Sequence, residues 1–188
     1  MTIVLNDGLK SRGLSVHTKA LLLGSFMPDV PLLLLTLGFL ARRSWLGLSA
    51  AADPICGPRF NHLYFHHPLW QAGHNLFHAP LLIGLTAWVG YRSGRVRQQK
   101  WGLALVWFAL ACGFHSLVDI VTHSTDGPLL FFPLNWNTRF PAPVSYWDAN
   151  HAGKKFALFE RLLALALGLY FGANWILARR SLKGKESS

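Results

Sequence analysis

Four apolar runs divide the chain, at about residues 17–41, 69–91, 101–121 and 156–178, with polar stretches between them. Each is roughly 20 residues or slightly longer, enough to span a hydrocarbon layer of about 30 Å at 1.5 Å per residue. The pattern predicts an all-α integral membrane protein with about four transmembrane helices. The two long loops near 42–68 and 122–155 then share one side of the bilayer. Trp45, Trp70, Trp88, Trp101 and Trp175 fall near the predicted helix ends, where indole rings anchor at a membrane interface. Residues 1–188 read as a single membrane domain ending in a basic tail at 179–188.

Composition agrees. Hydrophobic residues make up 52% of the chain and charged residues 14%, against about 25% charged in an average soluble domain. The net charge of +10 would suggest nucleic acid in a soluble protein. Here the basic residues flank apolar runs, so the expected partner is membrane lipid and no nucleic acid. Lys10, Arg12, Lys19, Arg92, Arg95, Arg97, Lys100, Arg179, Arg180, Lys183 and Lys185 fall on one side of the predicted topology. Arg42, Arg43, Arg59, Arg139, Lys154 and Lys155 fall on the other. The imbalance places both termini in the cytoplasm and the long loops outside. Cys56 and Cys112 form no CxxC motif, so neither thiolate zinc nor a disulfide framework is expected. The first nineteen residues lack the pattern of a cleaved signal peptide, so the first apolar run is expected to direct insertion.

Within this apolar background the ionisable residues concentrate. His115, Asp119 and His123 recur at four-residue steps, which puts them on one stripe of a helix. Ionisable groups inside a membrane are costly and mark a site by default. Two imidazoles and a carboxylate are the chemistry of a divalent-metal cradle. His74 and His78 share the same spacing at the start of the second run. Pro80 follows closely and offers an alternative helix start, leaving His74 in a loop. Asp29 stands between Pro28 and Pro31, where the first run must open. It is either a ligand beside a broken helix or an N-cap for the second half. Eight of the nine histidines lie in the predicted outer half, His17 being the exception. His62, His66 and His67 read as interfacial packing in the first outer loop. The metal candidates are therefore Asp29, His74, His78, His115 and Asp119, and the candidate proton-transfer residues are His123, Asp148 and Glu160. Zinc is favoured as the divalent ion, with manganese or iron also compatible with mixed N/O ligation. Arg139 is a candidate partner for a phosphate.

Met27-Pro28-Asp29, Gly73-His74 with His78, HSLVDIVTH at 115–123, a following Gly and FFPLNW at 131–136 together resemble a bacterial family. Its members are the predicted membrane-bound metal-dependent hydrolases, also called LexA-regulated inner-membrane hydrolases and distantly grouped with zinc-dependent phospholipases. The resemblance covers roughly residues 17–145. This chain departs from the pattern at Asn75, where the family has Arg, at Ala79 in place of a small polar residue, and at Pro31 in place of a second carboxylate. The resemblance implies a bacterial inner-membrane metal-dependent hydrolase; a metal there would polarise a phosphoryl or acyl oxygen, and a site opening into the outer leaflet suits a lipid-like ester or phosphoester. The alternative is a non-catalytic membrane subunit or scaffold that docks a protein partner or pigment through Trp136, Phe140, Tyr146 and Trp147 of its outer loops.

Overall fold

The computed structural model describes residues 16–97 and 99–145, with scattered helical positions between 153 and 173. Among the described residues the chain is all-helical, apart from one isolated antiparallel bridge between Leu129 and Arg139. The helices are α1 (Thr18–Phe26), α2 (Val30–Trp45), α3 (Pro58–His66), α4 (Pro68–Asn75), α5 (Pro80–Tyr91) and α6 (Lys100–Thr122). A π-helical turn, Arg92–Val96, extends α5.

Proline sets most of these boundaries. α2, α3, α4 and α5 each carry Pro in their first turn, where the missing N–H removes no helical bond. The predicted first span is two helices bent by 42°. Pro28 lies in the break, and α2 continues past residue 41 to Trp45. The predicted second span is likewise not one helix. α4 stops at Asn75, and Ala79 is held extended at ψ 123° before α5 begins. Helical geometry is disfavoured for the residue before a proline, and Ala79 before Pro80 takes the extended alternative. The segment predicted as the first outer loop also contains regular structure: His62 and His66 lie in α3, and the His67 ring accepts from the Leu69 N–H at the start of α4.

α6 is the axis of the molecule, with α1 and α5 packed along it. The approach is close because the contact positions are small. A Cβ on Gly24 would meet the Phe108 carbonyl and the Ala111 side chain, and a Cβ on Gly102 would meet the backbone of Gly94 and Gly90. α2, α3 and α4 form a second layer around Phe39, Phe60 and Trp70, whose rings pack edge to face at centroid distances of 5.2–6.5 Å. Trp70 is thus buried core and not an interfacial anchor. Residues 127–139 fold back over the α4–α5 break, with Leu129 and Phe132 buried against Ala79.

Among the described residues, one helix is long and apolar enough to cross a membrane. The 22 residues Trp101–Thr122 of α6 qualify, and 22% of an apolar 18-residue window within them is buried inside the molecule. The bent α1–α2 pair passes the same test as a unit. The predicted fourth run lies mostly outside the described residues.

Candidate metal centre

Three chain breaks or ends meet at one point. Asp29 occupies the bend between α1 and α2, His78 occupies the break between α4 and α5, and His115 and Asp119 lie one turn apart near the end of α6. One ligand atom from each of the four lies within 4.8 Å of all the others. His78 Nε2 is 2.9 Å from Asp119 Oδ2 and 3.9 Å from Asp29 Oδ1. His115 Nε2 is 3.2 Å from the same Asp119 oxygen and 3.5 Å from Asp29 Oδ2.

The backbone fixes which ring nitrogens face inward. The His78 Nδ1–H donates to the His74 carbonyl at 2.6 Å, and the His115 Nδ1–H donates to the Ser25 carbonyl at 3.0 Å. With Nδ1 committed as donor, the neutral imidazole has a lone pair on Nε2. Both lone pairs then point at carboxylate oxygens, which are also acceptors. Acceptors at these separations need a positive partner between them, either a proton on each ring or a cation. A divalent ion would balance the two carboxylates.

The dimensions fit such an ion. Tetrahedral ligands at about 2.0–2.1 Å from zinc stand about 3.3–3.4 Å apart. The four His–Asp separations, 2.9, 3.2, 3.5 and 3.9 Å, straddle that spacing, the last two through different Asp29 oxygens, while one atom from each residue gives a set spread within 4.8 Å. These four residues can hold a metal ion.

Burial grades across the site. His78 is fully enclosed, His115 and Asp119 are half-buried, and the Asp29 side chain is 65% exposed. Asp29 occupies the N-cap position of α2, yet its side chain makes no capping hydrogen bond. The position is that of a cap, while the carboxylate turns to the histidines. It also makes the longest contacts, so the open side of the cradle is the Asp29 side.

The remaining candidates fall elsewhere. His74 is buried and stacks on His78 with ring centroids 4.7 Å apart, outside the group of four and in α4 rather than a loop. His123 ends α6 with Nδ1 3.1 Å from the Asp119 carbonyl, also outside the group. His17 caps α1 by accepting from the Ala20 N–H. Asp148 and Glu160 lie outside the described residues, as do His151, Tyr146 and Trp147. The Arg139 guanidinium donates to the Gly127 carbonyl and sits over the rings of Tyr64 and Phe65. Burial pulls its pKa below the usual value.

Residues without a sequence motif hold the site together. The Ser116 hydroxyl donates to the His78 carbonyl, tying the α4–α5 break to α6. Its signal was a polar residue three positions before Asp119 in an apolar helix. Asn75, fully buried, accepts from the Leu129 N–H at 2.6 Å and donates to the Gln71 carbonyl at 2.7 Å. Asn75 thus pins residues 127–139 against the site. Replacing Asn75 with Ala leaves the Leu129 N–H buried without an acceptor. We expect a loss of about 1–3 kcal/mol, read as a lowered midpoint of denaturant unfolding in detergent.

Compared with protein-family models, with curated proteins and with solved structures, the chain gives no match in any of the three.

Proposed function

We propose that the chain is a multi-pass protein of the bacterial inner membrane and a metal-dependent hydrolase of esters or phosphoesters, with zinc the favoured ion. The observation that carries this reading is the convergence of two imidazoles and two carboxylates from three separate segments within 4.8 Å. Membrane residence draws support from the surface of α6. Leu103, Leu110, Phe114, Leu117 and Val121 are all exposed and follow one helical face, as lipid-facing positions do. In this reading the termini are cytoplasmic and the site opens toward the outer leaflet.

An ion held there would supply Lewis-acid polarisation of the scissile carbonyl or phosphoryl group and acidify a water near neutral pH. His78, His115 and Asp119 would hold it through Nε2, Nε2 and a carboxylate oxygen. Asp29, on the exposed side, is placed to take a proton from the attacking water at its carboxylate. The His123 ring, hydrogen-bonded to the Asp119 carbonyl at the end of α6, is the group assigned to pass that proton outward. Phe26 and Leu33, one turn to either side of Asp29, are exposed, an apolar border suited to an amphipathic substrate.

The test is a metal-replete preparation in detergent assayed on chromogenic carboxyl esters and phosphodiesters. Turnover should disappear with chelation and return with zinc. Asp29→Asn should lower kcat by about 10²–10⁴-fold. Turnover that persists after the metal is stripped, or an Asp29→Asn enzyme with undiminished kcat, contradicts the proposal.

A further inference from the structure

His78 is the most enclosed of the four cradle residues, and it sits in a helix break rather than on a helix. Something other than helical geometry must hold its ring. Four aromatic rings form a continuous column here. Tyr64 packs on His74 at 5.3 Å, His74 stacks on His78 at 4.7 Å, and His78 packs on His115 at 5.2 Å.

The hydrogen bonds along the column have one consistent direction. The Tyr64 hydroxyl donates to the Asp126 carbonyl at 2.6 Å. It has a single proton, so its 3.2 Å contact with His74 is an Nε2–H donating to the phenol oxygen. Burial raises the Tyr64 pKa, which keeps the phenol protonated and able to donate. The His74 ring is therefore the Nε2–H tautomer, and its buried Nδ1 has no hydrogen-bond partner. The backbone carbonyl of the same residue takes the Nδ1–H of His78. Arg139 closes the far end, lying over the Tyr64 ring and donating to the Gly127 carbonyl beside Asp126.

We infer that Tyr64 and His74 are positioning residues for the metal ligand His78: Tyr64 locks the His74 ring, and the stacked His74 ring sets the plane of His78, whose tautomer the His74 backbone carbonyl fixes. The inference rests on the metal reading above. It assigns His74 a place beside the ion's ligand rather than on the ion. Groups that orient a ligand histidine typically alter metal affinity about 10–100-fold when removed.

The experiment is a double-mutant cycle on the full-length chain in detergent, with zinc affinity measured by competition against a chromophoric chelator. Tyr64→Phe deletes only the hydroxyl, and His74→Phe keeps a ring while deleting the N–H donor. Each should weaken zinc binding by about 10-fold or more, and the double variant should be little worse than either single one, because both act through the same bond. His74→Gln, which retains an N–H donor, should recover part of the loss. Nitrogen-15 NMR of the histidines in the metal-free protein gives a second readout. Wild type should show the Nε2–H form of His74, and Tyr64→Phe a mixture of His74 tautomers, with His78 in its Nδ1–H form in both. Variants that bind zinc as wild type does, or losses that simply add, overturn the inference and leave the metal site standing. A wild-type chain that binds no zinc removes the metal reading and this inference with it.

Discussion

His115→Ala and Asp119→Ala are each expected to reduce the bound metal from about one ion per chain to below about a tenth, measured by elemental analysis after metal-replete growth and desalting. Both residues touch the other members of the cradle: His115 faces Asp29 and Asp119, and Asp119 Oδ2 faces both imidazoles. Removing Asp119 leaves His78 and His115 with only the exposed Asp29 carboxylate. The helices should survive, because neither side chain belongs to either hydrophobic cluster, and far-ultraviolet circular dichroism should stay unchanged. Retained metal in both variants would mean that an ion binds elsewhere.

Gly24→Val is expected to damage both the fold and the site. The added Cβ would stand 2.8 Å from the Ala111 Cβ and closer still to the Phe108 carbonyl, so α1 must move off α6. Overpacking of this kind costs about 1–3 kcal/mol, and a backbone obstacle places Gly24 at the upper end of that range. Ser25, the next residue, supplies the carbonyl that orients His115. The displacement should therefore also weaken zinc binding by about 10-fold or more. Gly38→Val serves as control, since nothing lies within 4 Å of a Cβ built there. The two variants are compared by thermal melting and by zinc competition; equal behaviour would show that the α1–α6 contact does not support the site.

How far the sequence could be read follows from its physics. The four-residue steps in α6 place His115 and Asp119 on one face by helical geometry alone, and the structure keeps them there. Asp29 and His78 were also legible, because a carboxylate between prolines and a histidine ahead of Pro80 stand out in apolar runs. What the spacing of His74 and His78 could not show was that the helix ends at Asn75, between the two. The i, i+4 relation holds on one uninterrupted helix. Once the chain turns extended at Ala79, His78 swings toward α6 and His74 stays behind, stacked on it. The first outer loop was read as irregular, although Pro58 and Pro68 each stand at a helix start. Trp70 was read as an anchor because position in a span does not reveal that Phe39 and Phe60 surround it. Tyr64 carried no signal at all: its importance comes from a contact with Asp126, 62 residues away.

The most direct test of the cradle is X-ray absorption at the zinc edge of the full-length protein, purified in detergent after metal-replete growth. The account predicts nitrogen and oxygen neighbours at about 2.0–2.1 Å, with the outer-shell scattering of two imidazoles and no sulfur. An absent edge, a sulfur shell, or a spectrum without imidazole scattering would contradict it.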